Sequence, residues 1–142
     1  MKQKNKDLLL QDLCARVPYG LIVACDNNDG TMHNTWKVAY INKIIEDVYL
    51  LNTESTATQI ISVKEIKPYL FPLSSMTEKQ KNDMFNYCYN TEHEASKFSN
   101  GKLKFVYDYE IVKIDWCNKN NFDYRGLIEL GLAIDATNLN IY

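Results

Sequence analysis

Metal ligation and nucleophilic catalysis both need clustered histidine, cysteine or carboxylate side chains, so the chain is read first for those. Its only histidines are His33 and His93, and neither has a second histidine three to five positions away, the spacing of a helical metal site. Thr91-Glu-His-Glu94 offers two carboxylates and an imidazole, but adjacent helical residues point apart and do not share one ion. Asp26–Gly30 has the look of a calcium loop. Aligning Gly30 with that loop's glycine puts Cys25 at the first ligand position and Trp36 at the twelfth, where oxygen is required. The segment therefore reads as a hairpin turn. No G-x-S-x-G or Q-A-C signature supplies a nucleophile. The five glycines lie apart and open no phosphate loop. Glu46 and Asp47 are sequence neighbours, the wrong geometry for an acid–base couple. Catalysis is thus not expected, and no cofactor or metal is called for. A hydrolase whose site is assembled only by the fold stays as the weakest alternative.

What remains is a surplus of aromatic side chains, 12% of the chain, with ten tyrosines among them. Tyrosine suits surfaces that are half apolar and half wet. Of the 16 basic residues, only Arg16 and Arg125 are arginine. Tyrosine and base fall together at three places: Arg16 with Tyr19, Lys67 with Tyr69, and Tyr124 with Arg125. These six residues are the candidate binding site, either for a protein partner or for an anionic ligand stacked on tyrosine and clamped by arginine. The alternative is that the tyrosines edge the core and the arginines pair with carboxylates or cap helix ends.

The near-neutral balance, a formal charge of −2, and the scarcity of arginine argue against nucleic acid as a partner. Lys2, Lys4 and Lys6 read as a solvated terminus. Leu8–Leu10 is too short for a secretory apolar segment, and nothing approaches a membrane span. Cys14, Cys25, Cys88 and Cys117 form no C-x-x-C pair and read as small buried hydrophobes of a reducing compartment. A cytoplasmic protein with no membrane partner is expected.

The elements that must position these residues can be read from periodicity. Leu9, Leu13 and Val17 repeat at helical spacing, predicting a helix over about 6–17 that Pro18 and Gly20 stop. Apolar runs at 21–25, 36–44, 48–51 and 59–66, separated by turn clusters, predict an antiparallel meander that could stay open or close into a small barrel. Pro68 and Pro72 bracket Tyr69-Leu-Phe71, an extended segment expected to lie over the core. Ser75–Glu78 and Thr77–Gln80 both have capping-box spacing, so a helix begins there and fades near Asn90. Leu103, Phe105 and Tyr107 alternate as one more strand. A helix over about 109–120 follows, although the alternation could also carry the strand on to Ile111. Gly126–Ala133 carries a short amphipathic pattern. The prediction is one α+β domain over 1–142, with strands within about 21–66 and a helical half from about 75.

Three segments, Asp7–Gly20 (DLLLQDLCARVPYG), Ile66–Met76 (IKPYLFPLSSM) and Asn121–Ile128 (NFDYRGLI) with Gly131–Asp135 (GLAID), resemble a family of small uncharacterised proteins encoded by gut bacteria and their phages. The resemblance covers about a quarter of the chain and carries no activity to transfer. It implies a phage or mobile-element context, in which small acidic proteins act by binding. The expected function is therefore a non-enzymatic interaction protein engaging a host protein. The runner-up is a phage counter-defence protein that sequesters a nucleotide or another anionic small-molecule signal. Homo-oligomerisation is left open.

Overall fold

A computed structural model describes residues 1–26, 32–99 and 109–142, with the backbone alone at 26, 32–34 and 92–99. The first helix, α1 (Gln3–Arg16), runs into a short 3-10 turn at Val17–Tyr19. Gly20 ends it with φ 79° and donates its amide to the Val17 carbonyl at 3.2 Å, the left-handed exit that glycine makes without strain. Then come β1 (Ile22–Asp26), β2 (Met32–Asn42), β3 (Asp47–Asn52), β4 (Thr58–Ser62) and β5 (Ile66–Pro72). Two helices, α2 (Glu78–Ser99) and α3 (Tyr109–Lys119), are followed by the two-residue strands β6 (Phe122–Asp123) and β7 (Ile134–Asp135).

Among the described residues the strands lie in the order β4-β3-β2-β1-β5-β6, with β7 also on β5. β1 to β4 are the expected antiparallel meander, extended by β5 beside β1. Among the described residues β4 and β6 stand at opposite edges, and the sheet they form is open rather than closed into a barrel. A bulge at Ala39 shifts the β2–β3 register between Val38↔Leu50 and Tyr40↔Tyr49.

Four elements differ from the sequence expectation. The run expected as one strand over 59–66 stops at Ser62, where a Ser62–Glu65 capping box turns the chain into a 3-10 helix at Val63–Glu65 before β5 begins. The Pro68–Pro72 segment is a strand within the sheet, not a strap over it, because its neighbours come from far away in sequence. Val23 pairs with Pro68 on one side, and Phe122 and Ile134 pair in parallel with Phe71 and Tyr69 on the other. α2 continues past Asn90 to Ser99. Gly126–Ala133 forms hydrogen-bonded turns, such as Leu132 N–H to the Leu127 carbonyl at 2.9 Å, that still bury Leu127 and Leu132. Of the two capping boxes, the structure uses the second. Thr77 Oγ1 accepts from the Gln80 amide at 3.2 Å while Gln80 Oε1 accepts from the Thr77 amide at 2.8 Å. The expected strand at 103–107 and the turn at 27–30 lie outside the described residues.

The core sits between α1 and one face of the sheet. Leu9 and Leu13 pack on Leu21, Val23, Val38, Val48 and Leu50, closed below by Leu127 and Leu132. A second cluster joins α2 and α3 to the β5–β6 edge, with Trp116 stacked on Phe122 at 5.6 Å between centroids. On the opposite face, Ala136 and Ile141 cover Ala24 and Tyr69, and the Tyr142 hydroxyl donates to the Tyr69 carbonyl at 2.8 Å. That cover stops at β1. No helix among the described residues is long and apolar enough to cross a membrane.

Candidate functional site

The six sequence-predicted residues fall at three separate places. Arg16, Tyr124 and Arg125 come together around Asp12, one turn before Arg16 on α1. Asp12 and Arg16 are both fully buried. Arg16 donates through Nε to Asp12 Oδ2 at 2.8 Å and through Nη2 to Oδ1 at 3.1 Å, a bidentate pair. It also donates to the carbonyls of Cys117 at 3.2 Å and Phe122 at 2.8 Å, closing the carboxyl end of α3. Arg125 Nε stands 3.3 Å from Asp12 Oδ1, at ion-pair distance but without hydrogen-bond alignment. Its guanidinium lies over the Tyr124 ring, 4.8 Å from the centroid, and that of Arg16 lies 5.5 Å from the same centroid. In this geometry Arg16 joins α1 to α3 and β6. An anion could reach it only by displacing these partners.

Tyr19 lies elsewhere, against the helices. Its hydroxyl donates to Asp115 Oδ1 at 2.6 Å, and that of Tyr87 donates to Oδ2 at 2.5 Å, so one α3 carboxylate ties α2 to the turn after α1. The hydrogen bond to Asp115, with burial and the carboxylate's charge, pushes the Tyr87 phenol up to about 12. Tyr19 is raised for the same reasons. A raised phenol favours the folded state below its unfolded value, near 10, and that contribution is lost as pH climbs towards 12. Tyr87→Phe is therefore expected to lose stability less steeply than the wild type between these two values. Urea unfolding at stepped alkaline pH measures it, and parallel curves for the two proteins would refute the assignment.

Lys67 and Tyr69 lie on β5. Tyr69 is nearly buried and lines, with Thr35, Asn52 and Glu54, a polar cleft of about 220 Å³. Glu54 gives that cleft a carboxylate, a poor wall for an anionic ligand. Among the described residues, no group of three histidine, cysteine or acidic side chains could hold a metal ion. The four cysteines form no disulfide.

An exposed apolar surface on the outer face of β2–β4 adds to the residues read from the sequence. Core-facing and outward-facing residues alternate along β3, Val48 and Leu50 inward, Tyr49 and Leu51 outward. Register carries the outward row across the sheet: Tyr40 faces Tyr49, which faces Ile60, and Lys37 faces Leu51, which faces Thr58. The Tyr40 and Tyr49 rings meet at 5.5 Å between centroids. The β2–β3 turn adds Ile44, 93% exposed, and Ile45, 58% exposed. Asn42 Oδ1 accepts from the Ile44 amide at 3.0 Å, and Glu46 takes φ 58°, so the turn has a defined shape. Beside it, Cys14, Val17, Tyr40, Ile41 and Lys43 line a shallow cleft of about 230 Å³ between α1 and the end of β2. The sequence did carry a signal. Val48–Leu51 is apolar at every position, which in an antiparallel strand means both faces are apolar, and a turn holding Ile44-Ile45 lacks the usual polar turn residues.

Comparison with protein-family models, with curated proteins and with solved structures finds no match for this chain. Fold and site together define a small α+β protein with one face of its sheet half covered and half open.

Proposed function

We propose that the protein is a non-enzymatic binding protein acting through a protein–protein interface on the open outer face of β2–β4 and the adjoining β2–β3 turn. The carrying observation is the row Tyr40, Tyr49 and Ile60 with Leu51 beside it and Ile44 and Ile45 on the β2–β3 turn, apolar groups of which all but the half-buried Tyr49 are exposed on a hydrogen-bonded scaffold. Exposed apolar surface of this kind marks interaction sites, and tyrosines paired on a sheet give large contact area at low entropic cost. The resemblance of three segments to proteins of gut bacteria and their phages supports a mobile-element origin and a host protein as the partner. Cysteines that form no disulfide support action in a reducing cytoplasm.

The test is affinity capture from a bacterial lysate with wild type and Ile44→Asp in parallel. Ile44 is almost fully exposed, so the variant should melt as the wild type does. Placing a charge in an apolar contact should weaken the captured partner about tenfold or more. Equal capture by both proteins would remove this surface from the reading.

A further inference from the structure

The open face ends at β4, and β4 is a free edge: among the described residues it pairs only with β3. We propose that this edge joins a second copy of the chain in an antiparallel β4–β4 pairing, giving a two-fold symmetric dimer with one continuous sheet. The inference goes beyond the proposed partner surface, because it concerns the backbone edge of β4, where the face row ends at Ile60.

Three observations converge on a second copy as the occupant. The first is the direction of the free backbone groups. The Asn52 amide donates to Ala57 at 2.9 Å and the Val63 amide to Glu46 at 3.0 Å, bracketing the β3–β4 ladder. Alternation of antiparallel pairing then assigns residues 59 and 61 to bonds with β3 and turns the groups of Thr58, Ile60 and Ser62 outward. A strand pairing with itself about Ile60 sets Ile60 against the partner's Ile60 and Thr58 against the partner's Ser62, so outward groups meet outward groups. Ile60 exchanges both of its bonds with its counterpart. Thr58 donates to the carbonyl of the partner's Ser62. The Ser62 amide already has an acceptor, Glu65 Oε2 at 3.2 Å, and needs none from the partner.

The second observation is charge. Thr58-Gln-Ile-Ile-Ser62 carries none, so self-pairing sets no like charges opposite each other. Edge strands that avoid association use lysine, proline or a bulge, and Thr58–Ser62 has none of these; its brevity and the Glu65 carboxylate on the Ser62 amide are its protection. The third is continuity of the apolar row. Ile60, 58% exposed, is the last member of Tyr40–Tyr49–Ile60, and pairing at Ile60 joins this row to its symmetric copy. Such an isologous contact closes on itself and stops at two chains.

Sedimentation velocity of the purified chain over a hundredfold concentration range tests this. The expected result is a reversible shift from 16.5 kDa towards twice that mass. Ile60→Lys places like charges across the axis on an exposed side chain and should weaken association at least tenfold with an unchanged melting curve. Ile60→Glu should do the same alone, and an equimolar mixture of the two variants should restore the dimer, since only at the axis does residue 60 face its own copy. Ile44→Asp, away from the edge, should dimerise as the wild type does. A wild type that stays at 16.5 kDa throughout would overturn the pairing. So would charge variants that fail to rescue each other. Neither result touches the lysate capture experiment, so the two readings fail separately.

Discussion

Replacing Asp12 with leucine is expected to lower stability by about 3–5 kcal/mol, the cost of leaving a buried partner charge uncompensated. For a chain of this size that corresponds to a Tm about 10–20 °C lower. Among the described residues Asp12 is the only carboxylate placed against the buried guanidinium of Arg16, and Arg125 also stands within 3.3 Å of it. Removing it leaves two arginines around a site with no anion. Arg16→Met should cost less, because Asp12 then keeps Arg125 as its counter-charge. The double variant Asp12→Leu/Arg16→Met should recover part of the loss, since pair and desolvation penalty disappear together. Chemical denaturation of the four proteins gives the cycle. An Asp12→Leu protein within about 1 kcal/mol of wild type would mean the pair is not sealed from water.

A second large effect is expected at Asp123. Its Oδ1 accepts from the Leu127 amide at 3.0 Å and the Arg125 amide at 3.3 Å, and its Oδ2 accepts from the Ile128 amide at 2.8 Å. The carboxylate is buried and Leu127 is wholly so, leaving water little access to replace these bonds. Asp123→Ala should therefore cost about 2–4 kcal/mol, the sum of several unsatisfied buried donors. Asn at this position keeps one acceptor and should lose roughly half as much. Hydrogen exchange at residues 127 and 128 should accelerate in the alanine variant beyond what its global stability predicts. Unchanged exchange there would show that the turn is held by Leu127 and Leu132 packing alone. Because the same turn carries Tyr124 and Arg125 to Asp12, the two predictions concern one structural unit.

Local chemistry was legible wherever a neighbour in sequence is also the neighbour in space. Pro18 and Gly20 end α1, the alternation of Trp36–Tyr40 and the first part of the 59–66 run, up to Ser62, build the meander, and Thr77–Gln80 caps α2. The length of α2 was less so, since Thr91–Ser99 is polar on its own terms. The place of β5 could not be read at all, because the residues flanking it, Val23, Phe122 and Ile134, come from three distant segments. The same applies to Arg16. Its pairing with Asp12 follows the helical i, i+4 spacing, but the carbonyls of Cys117 and Phe122 lie 101 and 106 residues away. Proximity of tyrosine to basic residues along the chain pairs Arg16 with Tyr19, whereas in space Arg16 meets Tyr124 and Arg125, and Tyr19, Lys67 and Tyr69 lie elsewhere. The outward apolar row is hard to read from sequence, because a run apolar at every position, such as Val48–Leu51, does not say which of its two faces is covered.

The parallel pairing of β6 and β7 onto β5 sets an order of events in folding. The meander closes through short turns and can form early, whereas β5 gains its second neighbours only when segments some 50 and 65 residues further on arrive, a costlier loop closure. Until then its far edge is unsatisfied, and Arg16 and Asp12 lack the cover of α3 and Arg125. On the ribosome, residues 1–72 emerge as a sheet with two open edges and a charge pair still in water. The segment from Cys117 to Asp135 closes one of those edges and covers the pair.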